Sequence, residues 1–267
     1  MALGQRFADR HTALISKKAS KLLNKSLMIN SDTSGNGIAR RLNGHAPKQN
    51  SSLNRLEEMG EAHAATSKET PLREDAFERS DEEKMQIIAA HFREIMDTLG
   101  LDLTDDSLNG TPRRVAKMFV KEIFGGLNPE AKPAISLFEN KFGYRQMLVE
   151  KGITVQSFCE HHFLPITGVC HIAYIANGKV IGLSKLNRIV DYFSRRPQVQ
   201  ERLTVQIAEE LKSVLGTEDV AVYIDAKHQC VEMRGVKHMG CSTVTTEYSG
   251  KFLNENVRAE FLNAIQS

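Results

Sequence analysis

The chain has 267 residues, 41% of them hydrophobic, and a formal net charge of +2 from 35 basic and 33 acidic side chains. That near balance excludes the strongly basic surface of a bulk nucleic-acid binder, and no apolar run approaches the roughly 20 residues of a membrane span. Four cysteines, Cys159, Cys170, Cys230 and Cys241, are too few for a disulfide scaffold and suit a reducing compartment, so the sequence predicts a soluble cytoplasmic protein with no nucleic-acid or membrane partner.

Residues 1–75 hold few large apolar residues in periodic order and are rich in Ser, Asn, Lys, Arg and Gly. Such a segment buries too little surface to offset its chain entropy, and it reads as a disordered basic and polar tail. Within the first fifty residues nine Lys and Arg face only Asp9 and Asp32, a composition that also touches on organelle transit peptides. The folded domain is expected over 76–267, long enough for one core.

Ser80-Asp81-Glu82-Glu83 has the form of a capping box, and Met85, Ile88, Phe92, Ile95 and Leu99 recur at helical spacing up to Gly100. This predicts a helix over about 81–99. Thr111-Pro112 predicts the start of a second, carrying Val115, Met118, Phe119 and Ile123 to the stop Gly125-Gly126, so the fold opens on a helical hairpin. Alternation through Ile153, Val155 and Phe158, and again through Val169, His171, Ala173 and Ile175, predicts two strands joined by a turn that contains Pro165 and Gly168. A short helix capped by Ser184 and ending before Pro197 follows, then a longer one over about 198–215 that stops at Gly216. Val220–Ile224 and Val231–Arg234 read as paired strands, with a further strand over 242–248 and a closing helix over 255–265. Helices, hairpin, helices, hairpin and helix make an α+β fold with antiparallel pairing rather than a doubly wound parallel sheet.

The turn between the first two strands carries Cys159-Glu160-His161-His162, and Cys230 follows some seventy residues later. Thiolate and imidazole are zinc donors, and a site with three protein ligands keeps a position for water or substrate. Cys159 and His162 are spaced to converge from one tight turn, with Cys230 closing the shell. His161 and His228 flank the ion without binding it, where an imidazole moves protons near neutral pH. Cys170, Cys241, His171 and His238 are read as structural or surface residues.

Four segments in this order, Ser157–His162, Gly182–Arg188, Arg196–Thr204 and His228–Gly235, strongly resemble GTP cyclohydrolase I, and the similarity covers about 80–267. The resemblance implies a tunnelling fold (T-fold), an antiparallel sheet with helices packed on one face. It also implies opening of the GTP purine ring, release of C8 as formate and closure of 7,8-dihydroneopterin triphosphate, the first step toward tetrahydrofolate or tetrahydrobiopterin. By resemblance the zinc ligands are Cys159, His162 and Cys230, and His161 and His228 are the proton-transfer groups. Glu201 and Gln200 would read the guanine base, whose N1–H and amino group are adjacent donors for one carboxylate. Lys185, Arg188, Arg234, Arg114 and Lys117 would hold the triphosphate. Ser184 would donate to a phosphate or serve the ribose rearrangement, and a helix-capping role stays open beside these. The family builds its sites between subunits, which implies a homo-oligomer, a decamer.

Two other readings fit the same residues. In one, Cys159, His162 and Cys230 hold two hairpins together in an interaction module, which requires a fourth protein ligand from Cys241 or His161. In the other, a related tunnel-fold enzyme acts on a deazapurine or a pterin.

Overall fold

The computed structural model describes residues 67–266, so most of the expected tail lies outside the described residues. The first helix, α1 (Asp81–Thr98), begins at the expected capping box: Glu83 N–H donates to Ser80 Oγ at 3.3 Å and Ser80 N–H to Glu83 Oε2 at 2.8 Å. It packs against α2 (Thr111–Lys117), which continues as a π-helical turn over Met118–Ile123 and halts before Gly125. Gly110 rather than Thr111 is the cap of α2, and Pro112 lies in its first turn, where its missing N–H costs nothing. The helical hairpin therefore forms as expected.

Seven strands follow. β1 (Leu137–Glu139) pairs with β4 (Lys179–Ile181) in a small antiparallel sheet. β2 (Met147–Cys159), β3 (Pro165–Ile175), β5 (Pro197–Gln198), β6 (Val220–His228) and β7 (Thr243–Tyr248) form a five-stranded sheet in the order β5-β2-β3-β6-β7. Every pairing is antiparallel except the two-residue parallel contact of β5 with β2. The register of β2 on β3 shifts between Glu150 and Ile153, where Gly152 has φ +75°, a left-handed conformation that suits glycine at a bulge.

Helices α3 (Leu183–Ser194) and α4 (Gln200–Leu215) cover one face of this sheet. Val155, Ile166, Ile172, Val222 and Ile224 from the strands meet Leu186, Ile189, Leu203, Ile207 and Leu211 from the helices, and all are fully buried or nearly so. Each such side chain contributes about 1.5–3 kcal/mol relative to exposure. The alternate strand residues Ala173, Ile175 and Ala221 face the other way, where Phe252 and the closing helix α6 (Glu255–Gln266) with Phe261 form a smaller cluster. The fold is α+β with an antiparallel-dominated sheet, as expected, and the closing helix adds cover at one end of the second face.

Three local readings are corrected. Residues 231–234 are not a strand: after β6 the chain turns into the short helix α5 (Gln229–Glu232), and β7 takes the place beside β6. Gly168 sits within β3 rather than in a turn, because a Cβ there would stand 2.1 Å from Asp225 O and 2.5 Å from Ala226 Cα. Its role is close approach of two strands. Ser184 is not the cap of α3; Gly182 is, which leaves Ser184 exposed in the first turn.

Residues 67–75, grouped with the tail by composition, reach α4. Arg202 Nε donates to Ser67 O at 2.9 Å and Gln206 Nε2 to Lys68 O at 3.1 Å.

Candidate metal centre and adjoining cleft

The turn that ends β2 is tied at both sides. Cys159 N–H donates to Leu164 O and Phe163 N–H to Cys159 O, each at 2.8 Å, while Glu160 N–H donates to Gln198 O of β5 at 2.9 Å. Phe163 takes φ +53°, in the left-handed region, and its ring packs edge-on against Phe124 with centroids 5.0 Å apart. The bond from Phe163 N–H back to Cys159 O closes the segment into a single turn, which brings the donor atoms of Cys159 and His162 within 4.8 Å of one another. The register then supplies the third donor: Ile166 of β3 pairs with His228 at the end of β6, and α5 begins at the next residue and carries Cys230.

One donor atom from each of Cys159, His162 and Cys230 lies within 4.8 Å of the others. Both thiols are buried and the imidazole is exposed. Burial pushes the Cys230 thiol up to about 11, and the neighbouring Cys159 adds to the shift. Two sulfurs this close disfavour ionisation of both unless a cation stands between them, and a divalent ion inverts that balance. The donor set therefore fits a metal of the zinc type. Neither Cys241 nor His161 joins this group among the described residues. Cys170 is fully buried on β3, and burial raises its thiol pKa far beyond the working range, consistent with an inert core residue.

The cleft beside this group has a volume of about 520 Å³ and is lined by Cys159, His161, Glu201, His228, Cys230 and Thr243 among others. His161 Nδ1 is 3.6 Å from Cys159 Sγ. Glu201 is exposed in the first turn of α4, where a carboxylate also interacts favourably with the helix dipole. Arg234 Nη1 lies 2.6 Å from His162 Nε2, so this arginine stands at the mouth of the metal group.

The remaining expected residues are placed elsewhere in the same chain. Ser184, Lys185 and Arg188 lie on α3, and Arg188 lines a separate cavity of about 450 Å³ with Lys121 and Arg195. Arg114 Nη2 donates to Ser107 O and Thr111 Oγ1, both at 2.7 Å, and Lys117 is exposed at the end of α2. None of these five side chains lines the cleft. Gln200, expected to offer its amide to a base, borders the cleft, is 1% exposed and donates its amide to β6 and β7.

Arg202 was not singled out from the sequence. Its side chain is 3% exposed, with Nη1 2.5 Å from Glu160 Oε2 and Nη2 3.3 Å from Oε1, so a buried ion pair braces the metal turn against α4. The available signal was a guanidinium on the apolar side of an amphipathic helix, which requires a carboxylate partner.

A family model for GTP cyclohydrolase I matches residues 88–266. The protein called GTP cyclohydrolase 1 in Flavobacterium johnsoniae is 59% identical over 211 residues, covering 79% of this chain and 95% of that relative. Those of the same name in Aeromonas salmonicida and Escherichia coli are 51% identical over 199 residues and 50% over 207, covering 74% and 77% of this chain and 90% and 93% of the relatives. The chain belongs to the GTP cyclohydrolase I family. It is therefore an enzyme of that family, and its mixed sheet with helices agrees with the T-fold. Among the described residues no helix is long and apolar enough to cross a membrane.

Proposed function

We propose that this chain is a zinc-dependent GTP cyclohydrolase I, converting GTP and water to 7,8-dihydroneopterin triphosphate and formate at the head of pterin biosynthesis, in a catalytic domain over 76–267 preceded by a basic tail. One observation carries the reading: two thiols and an imidazole, all within 4.8 Å, open onto a cleft that also holds Glu201, His161 and His228. Cys159, His162 and Cys230 would hold the ion. When bound, zinc supplies a Lewis acid that makes water acidic enough to act as a nucleophile near neutral pH.

The side chains divide the remaining work. Glu201 accepts the N1–H and amino protons of guanine together, an arrangement adenine lacks. His161 and His228 take and return protons as the imidazole ring opens and the ribose rearranges. Lys185, Arg188, Arg234, Arg114 and Lys117 neutralise the triphosphate, with Ser184 donating to a phosphate or to the ribose.

Within one chain the cations on α2 and α3 stand apart from the cleft, and this supports a homo-oligomer, a decamer, with each site shared between subunits. Two further features agree. The outer edge of β7, and before Phe158 the edge of β2 turned away from β3, have no partner among the described strands, and Ile95 and Leu99 of α1 are 52% and 72% exposed. Shared sites make a specific demand. Arg188→Ala and Cys230→Ser are each expected to be inactive alone and to regain activity when co-expressed, since a mixed assembly contains some intact sites. Failure of co-expression to restore turnover, with mixed oligomers demonstrated, would place each site within one chain.

A cytoplasmic location fits the free thiols of the site, and cell fractionation checks it. Incubation with GTP and zinc, followed by assay for formate and for a fluorescent pterin after oxidation, tests the activity. Release of neither product refutes it; consumption of a deazapurine or pterin instead of GTP favours the related tunnel-fold enzyme. Glu201→Ala is expected to lose GTP binding while keeping its zinc, because the carboxylate faces the cleft and not the metal group. Unchanged GTP affinity in that variant removes Glu201 from base recognition.

A further inference from the structure

We infer that Arg202 is a positioning residue for the metal turn: held from behind by the backbone of Ser67, its buried ion pair with Glu160 sets that turn, with Cys159 and His162, against the helix that presents Glu201. The placement follows from contacts within this chain, and its consequence for turnover rests on the cyclohydrolase reading above.

All three guanidinium nitrogens of Arg202 are engaged. Nη1 and Nη2 reach the two carboxylate oxygens of Glu160 at 2.5 and 3.3 Å, and Nε donates to Ser67 O at 2.9 Å. A two-pronged grip on a carboxylate fixes direction as well as distance, which a single point charge does not. The third bond fixes the grip itself, since the guanidinium is planar and cannot swing away from Glu160 without leaving Ser67.

A second buried polar side chain on α4 repeats the arrangement. Gln206, one turn further along and 5% exposed, donates to Lys68 O at 3.1 Å and to Glu69 Oε2 at 3.3 Å, while its Oε1 accepts from Gln198 Nε2 at 2.9 Å. Gln198 is the residue of β5 whose carbonyl accepts from Glu160 N–H at 2.9 Å. Glu160 is therefore anchored to α4 twice, by its side chain through Arg202 and by its backbone through Gln198 and Gln206. Both anchors run on to residues 67–69, which precede the span of 88–266 matched by the family model. Buried polar groups are costly unless satisfied, and a network with every member bonded defines one arrangement of the elements it joins.

That arrangement matters because Glu201 stands next to Arg202 in the first turn of α4 and lines the cleft with Cys159 and Cys230. The ion pair sets where the carboxylate that reads the base lies relative to the donors that hold the ion. Loss of Arg202 removes this shared fixed point while Glu201, Cys159, His162 and Cys230 all remain. A misplacement of about 1 Å costs on the order of 10²-fold in rate, and loss of a group that orients metal ligands costs about 10- to 100-fold in metal affinity or activity.

The test replaces the pair in the full chain with apolar groups of similar volume, Arg202→Met together with Glu160→Leu. No buried ion is left unpaired, and proteins often tolerate such a replacement without loss of stability. The metal-free double variant is expected to melt close to the metal-free wild type. Its dissociation constant for zinc, measured by competition with a chromogenic chelator, is expected to rise about 10- to 100-fold, and the thiolate and d–d absorption bands of its cobalt-substituted form are expected to shift. Arg202→Lys keeps the charge but loses the two-pronged grip and the bond to Ser67, and should change both readouts in the same direction by less. At saturating zinc, kcat for GTP is expected to fall by a similar factor with KM little changed, because Glu201 is still present. Wild-type zinc affinity and cobalt bands in both variants, or in the lysine variant alone should the double variant not fold, would show that the pair only supports the fold and would overturn the inference. Weakened zinc binding in the variants of a protein that releases no formate from GTP would refute the proposed activity and leave the positioning role standing.

Discussion

Cys230→Ser is expected to abolish formate release from GTP and to lower the zinc content of the purified protein from about one ion per chain to a small fraction of that, as expected when a three-ligand site loses one donor. Serine nearly matches cysteine in size and its hydroxyl stays protonated, so the two remaining protein donors, Cys159 and His162, hold the ion too weakly. The fold should survive. Cys230 belongs to the short helix α5 at the end of β6, outside the sheet, where it joins the main core at 9% exposure, and serine replaces it with nearly the same volume while Val155, Ile172, Ile224, Leu203 and their neighbours are untouched. A melting temperature close to that of the metal-free wild type, together with the missing zinc, separates loss of the site from loss of the structure. Retention of both zinc and turnover would show that Cys230 is not a ligand, and the functional account would fail with it.

The second large effect concerns the two histidines. His161→Ala and His228→Ala are each expected to slow ring opening by about 10²–10⁴-fold, the range for removal of a general acid or base, while zinc content and GTP affinity hold. The geometry sets them apart from the ligands: His161 Nδ1 lies 3.6 Å from Cys159 Sγ without joining the three-donor group, and His228 is hydrogen-bonded to Gln200. Single-turnover measurement of formate isolates the chemical step from product release. Full activity in both variants would remove imidazole from the proton transfers.

Much of this arrangement was legible from residue order. Ser80 and Glu83 marked the start of α1 because a capping box is a local device, satisfied within four residues. The Cys159, His162 and Cys230 set was legible because metal donors are few in kind and the first two are close in sequence. Other features were hidden for physical reasons. β1 and β4 are three residues long, too short to show alternation. Val231-Glu232-Met233 alternates like a strand, yet the backbone turns into α5 so that Cys230 can reach the turn after β2. Gly168 resembles a turn glycine in sequence, and only the approach of Asp225 O explains it.

The roles of Gln200 and Arg202 were the least accessible, since their partners come from distant segments: Thr243 and Thr245 on β7 for one, Glu160 and Ser67 for the other. Adjacent in sequence to Glu201, these two residues look like members of a substrate-binding run. Burial divides them. Glu201 is exposed in the cleft, whereas Gln200, which also borders it, and Arg202 are almost fully buried and bond, respectively, to the His228 ring and to the turn that carries the metal donors.

Zinc K-edge X-ray absorption on the purified, active enzyme is the most direct measurement. The account predicts a shell of two sulfurs and one imidazole nitrogen from the protein with the remaining position open to solvent. A shell closed by four protein side chains, or full turnover in protein stripped of metal, would contradict it.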